Sequence, residues 1–460
     1  MSSSDLDVAF APFVARMQAA GVPSLAIATF KAHYAALCSG ETGEIPESAI
    51  EPVTELPNAE ALPDAYAEVG REALDQTVFV KLNGGLGTSM GLRRAKSLLP
   101  VRGDRTFLDL IAAQASHAGC PLLLMNSFAT RDDTTAALAR WPALLDGALP
   151  IDFLQHRVPK VDQRELAPVD HEPASATWCP PGHGDLYTAL VTRGVLEQLL
   201  AAGRRYLFVS NSDNLGAVLD LRILGWFVAQ SVPFLMEVAD RTEADRKGGH
   251  LARRAGQLIL REVAQCPASD LETFQDHTRH RYFNTNNLWI DLHALAARMG
   301  PDRPLVLPLI RNRKTVDPRD PTSTPVYQLE SAMGAAIGVF PGAQAIRVPR
   351  TRLVPVKTTG DLLRTRSDAT VLLDDGRLVP ATERPPNVVL DKAHYKLVGQ
   401  LDDHFPEGPP SLKDCTSFVV EGDVVFGGGV ICRGDVRVTA PQGQTRHVAS
   451  GAILSGTVEL

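Results

Sequence analysis

The 460-residue chain contains no C-x-x-C pair; its six cysteines, Cys38, Cys120, Cys179, Cys266, Cys415 and Cys432, are scattered. Neither a disulfide framework nor a zinc site is expected, and six reduced thiols fit a cytoplasmic chain. There is no run of ~18 apolar residues of the kind that spans a membrane. No basic n-region opens the chain, since Asp5 and Asp7 stand where one would lie. A basic excess is also missing: the formal net charge is −7, so no nucleic-acid partner is expected. Any positive charge needed to hold a polyphosphate must therefore be concentrated locally. Finally, no Gly-Lys pair occurs, which excludes a Walker loop.

What is present reads as two to three domains, as the length suggests. Residues 1–75 are expected to form an N-terminal helical and extended segment. Phe10, Phe13, Val14 and Met17 recur at helical spacing, with Ser2 to Ser4 available for capping. Residues 41–75 are acidic and proline-containing, as a surface wrap would be. From Thr77, short apolar runs at 77–82, 121–125, 206–210 and 234–238 alternate with helical stretches or long loops. That alternation predicts an α/β domain over 76–380 with a mixed or mostly parallel sheet. Ligands in such sheets bind beyond the carboxyl ends of the strands. Residues 381–460 differ again. Gly422-Asp423-Val424 and Gly434-Asp435-Val436 stand twelve positions apart, and Ser455-Gly456-Thr457-Val458 follows. These valine-rich rungs predict a few coils of a β-helix, with an ordinary small β-sheet as the plainer reading.

The densest signal follows the run at 77–82. Gly84, Gly85, Gly87 and Gly91 fall within eight residues, and Lys96-Ser97 comes after them. Glycine has no Cβ and permits positive φ, so several backbone N–H groups can approach one anion. Lys96 then adds a point charge for phosphates. A dinucleotide fingerprint fails, because Met90 occupies the third glycine position after Gly85-Leu86-Gly87. Taken alone, the loop is an anion-binding candidate or simply a turn.

The stretch Leu82-Asn83-Gly84-Gly85-Leu86-Gly87-Thr88-Ser89-Met90-Gly91 resembles the nucleotide-binding loop of the eukaryotic-type UTP–glucose-1-phosphate uridylyltransferases. Relatives acting on UDP-N-acetylhexosamines usually carry Gly-Thr-Arg-Leu-Gly there instead. Further blocks follow in the same order over roughly residues 78–362. The resemblance implies a Rossmann-like mixed-sheet nucleotidyltransferase domain of GT-A-like type, with a C-terminal β-helix domain. It assigns Leu82, Asn83, Gly84, Gly85 and Gly87 to the nucleotide. Gln155 offers an amide donor and an acceptor, the complement of one edge of uracil, and its counterpart in the family contacts the base. His156 beside it has no such match and is read as structural. Gly182 and His183, on a second glycine-bearing turn, are assigned to the uracil and substrate pocket.

Asn211 and Asp213 end the run at 206–210 in polar residues. Asp213 is the expected Mg²⁺ ligand, against an Asx-turn as the alternative, because Mg²⁺ keeps few carboxylates and fills its shell with water and phosphate. Gly249, Asn284 and Asn286 are assigned to the hexose, whose hydroxyls donate and accept as planar amides do. Lys357 matches the family's second phosphate-binding lysine. Asn126 and Ser127 serve equally well as site residues or as helix caps. His277 and His280 are read as surface residues, and Arg311-Asn312-Arg313-Lys314 as a solvated basic turn. Two departures stand out. Ala95 occupies the place of a proline usual before the lysine, and Ser367-Asp368-Ala369-Thr370 replaces the usual Ser-Asp-Leu-Tyr.

The implied reaction joins UTP and glucose 1-phosphate into UDP-glucose and pyrophosphate, reversibly and with Mg²⁺. Lys96 and Lys357 carry the catalytic charge. Another or broader sugar 1-phosphate is the alternative within this class. A non-catalytic nucleotide-sugar-binding protein is the alternative outside it. An acyltransferase β-helix would need a longer repeat with its own histidine. In some relatives the C-terminal region mediates self-association, so a homo-oligomer through 381–460 is a further expectation.

Overall fold

The structure, a computed structural model, describes residues 3–460, and the cap expected of Ser2 lies outside the described residues. Four strands run parallel in the order Asp152–Leu154, Leu122–Asn126, Thr77–Asn83, Tyr206–Asn211. The long strand Tyr282–Asp291 joins antiparallel to the last of them. Phe234–Asp240 pairs antiparallel with that long strand, and Gln344–Arg347 lies parallel outside it. His250–Arg254, Gln257–Arg261 and Glu51–Pro52 complete a ten-stranded mixed sheet.

The central runs are apolar at nearly every position because both faces of the sheet are covered. The pleat then deals alternate residues to two cores. Phe79, Leu122, Leu124, Phe208 and Trp289 enter one; Val78, Val80, Leu123, Met125, Leu207 and Val209 enter the other. Phe208 stacks on Trp289 with centroids 4.4 Å apart and on Phe79 at 5.5 Å. Each such side chain contributes about 1.5–3 kcal/mol by burial, which makes the sheet a stiff platform for whatever its carboxyl edge carries.

Helices Ser3–Ala19 and Ser24–Cys38 close a smaller core, where Phe10, Phe13, Met17, Phe30 and Tyr34 meet Val158 and Leu329. The segment 41–75 does more than wrap the surface. Val53, Ala59, Leu62 and Ala73 are buried in the two main cores. Helix Ala65–Ala73 crosses helix Leu221–Ala229 at a contact that only glycine allows. A Cβ on Gly70 would fall 1.9 Å from the Leu221 carbonyl oxygen, and one on Gly225 1.7 Å from that of Tyr66.

Toward the C-terminus, Asn387–Leu390, Cys415–Glu421, Ile431–Thr439 and Ile453–Glu459 pair in parallel, each with the next. A second parallel pair, Val424–Phe426 with Arg446–Val448, lies beside them. Phe418, Val420, Val436 and Val438 continue the core that holds Phe107 and Leu363. The departing segment 367–370 is part of this junction. Asp368 accepts from Ser411 Oγ at 2.5 Å, Leu412 N at 2.7 Å and Lys413 N at 3.0 Å. Among the described residues no helix is long and apolar enough to cross a membrane.

Two expectations are corrected. Residues 311–314 lie within the strand Ile310–Thr315, paired antiparallel with Pro325–Glu330, because the partner strand offers a ladder that a free turn would lack. His280 is fully buried rather than on the surface. Its Nε2 meets Glu47 Oε1 at 3.0 Å, and its ring stacks on His250 with centroids 3.9 Å apart. Glu47 also takes Arg261 and Arg279, so the N-terminal segment supplies the carboxylate that lets this imidazole leave water.

Candidate functional site

All four parallel strands deliver polar residues at their carboxyl ends, the edge where open α/β sheets bind ligands. Gly84 follows Thr77–Asn83, Ser127 follows Leu122–Asn126, Gln155 follows Asp152–Leu154 and Ser212-Asp213 follow Tyr206–Asn211. An amide ladder stiffens this edge. Asn83 Nδ2 donates to Asn126 Oδ1 at 2.7 Å, and Asn126 Nδ2 donates to Asp152 Oδ2 at 3.2 Å. Asn126 caps no N–H of the next helix but ties it to the sheet, its Oδ1 also accepting from Thr134 Oγ1 at 3.2 Å. Ser127 closes a local turn with Thr130.

Above the edge lies a cavity of about 400 Å³ lined by Leu82, Gly84, Gly85, Gly87, Lys96, Gln155, Gly182, His183, Asn211 and Asp213, with Met125, Pro180 and Ser212. Ten of the residues singled out from the sequence thus share one cavity. A larger cleft of about 930 Å³ beside Gln257 and Phe340 contains none of them. The glycine loop is shaped by its own close contacts. A Cβ on Gly84 would come within 2.9 Å of the Gln155 amide, so the glutamine lies across the loop backbone. Gly87 holds φ +68, and Lys96 N donates back to Gly85 O at 3.1 Å, closing the loop under the lysine. Ala95 has φ −52 and ψ 132, the backbone that a proline would fix. The turn presenting Lys96 is therefore kept without the proline.

The central ion pair is Lys96 Nζ to Asp213 Oδ2 at 2.6 Å, with both side chains largely covered. Directly below, Lys81 is fully buried and donates to the carbonyls of Asn214 at 3.3 Å and Ala217 at 3.1 Å. Burial pulls its pKa down to about 7, against the pull of Asp213, while Arg352 lowers it further. His183 Nδ1 accepts from Met333 N–H at 3.0 Å, which puts the ring hydrogen on Nε2. Burial lowers this histidine to about 4, so it is a neutral donor at ordinary pH. His156 is buried against Asp185 at 2.8 Å, a structural contact.

The remaining residues are held nearby but outside that lining. Asn284 and Asn286 sit on a bulge where the register against Phe234–Asp240 shifts between Glu237 and Val238. Asn286 takes φ +58, and Asn284 Nδ2 donates to Asn286 Oδ1 at 2.9 Å. A bulge of this kind re-aims side chains away from the ladder. A Cβ on Gly249 would come within 2.6 Å of the Glu262 carboxylate. Burial raises the Glu262 pKa and the charge of Lys357 opposes that rise, which ties Lys357 to this end of the site. Lys357 itself is exposed and lines a neighbouring cavity of about 650 Å³ with Ser89, Met90 and Thr358.

Sequence reasoning missed the floor of the site. Glu237 is fully buried and bonded twice to Arg352, at 2.6 and 2.7 Å. Trp289 Nε1 and Asn287 Nδ2 each reach its oxygens at 2.9 Å. Asn214 Oδ1 accepts from Val354 N–H at 2.9 Å and its Nδ2 donates to Arg352 O at 3.0 Å, pinning the Asp213 turn to the segment before Lys357. Polar residues inside apolar runs, as in Met236-Glu237-Val238, were the available signal.

A profile of the family described as UTP–glucose-1-phosphate uridylyltransferase matches residues 27–433. The UTP–glucose-1-phosphate uridylyltransferase of Solanum tuberosum is 40% identical over 397 residues, 84% of this chain and 81% of the relative. That of Saccharomyces cerevisiae is 40% identical over 396 residues, 84% of this chain and 78% of the relative. A solved structure of a UDP-glucose pyrophosphorylase variant from Leishmania major, in complex with UDP-glucose, is 43% identical with a TM-score of 0.92, covering 100% of both chains.

Proposed function

The chain belongs to the UTP–glucose-1-phosphate uridylyltransferase family, and from that premise we propose how its cavity converts UTP and glucose 1-phosphate into UDP-glucose and pyrophosphate. One observation carries the reading: the glycine loop, Gln155, His183 and the Lys96–Asp213 pair converge on one cavity at the carboxyl edge of the parallel strands. In the reaction a phosphate oxygen of glucose 1-phosphate attacks the α-phosphorus of UTP. The new P–O bond forms as the bond to the β-phosphate breaks, and pyrophosphate leaves. The nucleophile is already an anion, so no general base is needed; alignment and charge neutralisation remain for the protein.

The uracil edge is assigned to Gln155, which lies over the loop backbone, with Gly182 giving room for the base. Backbone N–H groups of the loop meet the phosphates. Lys96 leaves Asp213 for the phosphates when the nucleotide enters, and Asp213 is then free for Mg²⁺. The residues fit that ion. Asp213 keeps its Oδ1 outside the Lys96 contact, and no group of three His, Cys, Asp or Glu donors forms there among the described residues. Mg²⁺ needs few protein ligands beside water and phosphate, and when bound it neutralises charge on the triphosphate. His183 contributes an Nε2–H donor. Lys357 supplies the second positive charge from the far side of the glycine loop, and Gly249, Asn284 and Asn286 hold the hexose.

The division into 1–75, 76–380 and 381–460 is retained as the working one, with the parallel rungs of the last part read as a short β-helix. Its terminal strand Ile453–Glu459 ends the sheet with Ile453 exposed, which supports self-association there. Six unpaired thiols support a reducing, cytoplasmic setting. The test is pyrophosphate release from UTP with glucose 1-phosphate against other sugar 1-phosphates, with and without Mg²⁺. Release confined to glucose 1-phosphate and dependent on Mg²⁺ is expected; equal release without the metal would remove Asp213 from the role given to it.

A further inference from the structure

We propose that His394, His404 and Asp423 form a second metal site, for a divalent cation of the zinc type, which staples the helices after residue 390 to the C-terminal rungs. Among the described residues they are the one group of three such donors, with ligand atoms all within 4.8 Å of one another. They come from three separate pieces of chain: helix Lys392–Tyr395, helix Val398–His404 and the turn between strands Cys415–Glu421 and Val424–Phe426. The cysteine count argued against zinc, but these donors are imidazoles and a carboxylate, a set that suits zinc and its neighbours far better than Mg²⁺.

The contacts around His404 aim its Nε2 at the carboxylate. Its Nδ1 stands 2.6 Å from Gln400 O, a carbonyl, so Nδ1 must carry the hydrogen and donate. Its Nε2 then faces Asp423 Oδ1 at 2.8 Å. Two acceptors cannot rest at that distance without a proton or a metal ion between them. A metal-bound histidine is usually held in this way, with the far ring nitrogen fixed by a carbonyl. The carboxylate is oriented as well, since Thr445 Oγ1 donates to Asp423 Oδ2 at 2.6 Å. The Tyr395 ring packs against His404 with centroids 4.5 Å apart and fixes the imidazole plane. Zinc bonds of ~2.0–2.2 Å put neighbouring ligand atoms roughly 3.3 Å apart, so the His404–Asp423 pair must open slightly from 2.8 Å while His394, whose ligand atom lies within 4.8 Å of theirs, closes on the ion. Three protein ligands leave a fourth position for water.

The experiment uses the full chain stripped with a chelator and titrated with ZnCl₂ alone, read by bound zinc per chain and by the thermal midpoint. One zinc per chain and a raised midpoint are expected for the unsubstituted protein and for Asp213→Asn. His394→Gln and Asp423→Asn are expected to bind at least ~10-fold more weakly and to lose the midpoint rise. His394 is only partly buried, so His394→Gln keeps the test open should Asp423→Asn fail to fold. Absence of zinc binding in the unsubstituted protein overturns the proposal. So does equal binding by His394→Gln, or loss of binding in Asp213→Asn, which would place the ion at the nucleotide cavity instead.

Discussion

Two lysines stand on opposite sides of the same turn, and the contrast between their surroundings separates the cavity from its floor. Lys96 faces the cavity and holds Asp213 at 2.6 Å, the partner it is proposed to exchange for a phosphate. Lys81 is sealed beneath, satisfied by two backbone carbonyls of the Asn214–Ala217 turn, with its pKa drawn down to about 7. Next to it the Glu237–Arg352 pair is equally sealed, with Trp289 and Asn287 completing the bonds to the carboxylate. In the cavity the charged pair keeps some contact with solvent; in the floor the charges are closed off and held by protein hydrogen bonds alone. The floor holds the turn after Asp213 in place beneath the proposed exchange of partners.

The largest effect expected from breaking this contrast lies in the floor. Arg352→Met leaves Glu237 buried and unpaired, and a loss of about 3–5 kcal/mol in stability follows from removing one partner of such a pair. Chemical denaturation measures it. The double substitution with Glu237→Gln is expected to recover most of the loss, and a single-variant loss below about 1 kcal/mol would mean that the floor tolerates a bare carboxylate. Lys96→Ala is the matching change above. It should lower kcat by about 10²–10³-fold, or about 2.7–4 kcal/mol of transition-state stabilisation, with an unchanged denaturation midpoint. A stability loss comparable to that of Arg352→Met would erase the distinction between the layers.

Gln155→Ala comes next. Loss of a donor–acceptor pair that a bound base covers costs about 1–3 kcal/mol, so preference for UTP over other triphosphates should fall about tenfold while KM for glucose 1-phosphate holds. Steady-state competition between UTP and other nucleoside triphosphates reads this directly. Unchanged discrimination would assign the base to the backbone around Gly182 rather than to the amide.

The two layers also differ in how far they could be read from the sequence. The strands were visible because parallel strands buried on both faces are continuous apolar runs, and the cavity residues were visible because they follow those runs directly. The floor was not. Glu237 and Arg352 are 115 positions apart, and nothing local to either tells that the parallel pairing of Phe234–Asp240 with Gln344–Arg347 brings them together. The same applies to His280, whose burial depends on Glu47 arriving from the N-terminal segment. It applies again to 311–314, whose strand depends on the partner at Pro325–Glu330. Glu262 behind Gly249 is a fourth case. Local chemistry is legible in sequence; partners supplied by topology are not.

Lys81 allows the floor to be titrated. In the unfolded chain its ammonium keeps its proton to near 10.5, whereas the folded protein releases it near 7. Between those values the unfolded state binds more protons, so stability rises with pH, by at most about 1.4 kcal/mol per pH unit. Denaturation of the wild type at pH 7 and 9 should show that rise relative to Lys81→Met, in which it is absent. Identical pH dependence in the two proteins would mean that Lys81 keeps its proton when folded.

Ala95 tests the smallest difference between the layers, because it precedes Lys96 and is not among the residues lining the cavity. Its φ of −52 and ψ of 132 match what a proline ring imposes. Ala95→Pro therefore restricts the unfolded chain without asking the folded loop to move, and a gain of about 0.4–1 kcal/mol is expected. The Lys96–Asp213 pair should be unaffected, so kcat should stay within about twofold while the thermal midpoint rises slightly. Ala95 is itself buried, so the ring must find room among its neighbours. A fall in the midpoint together with a fall in kcat would show that this room is lacking, and that the loop presenting Lys96 has been repacked around alanine rather than merely tolerating it.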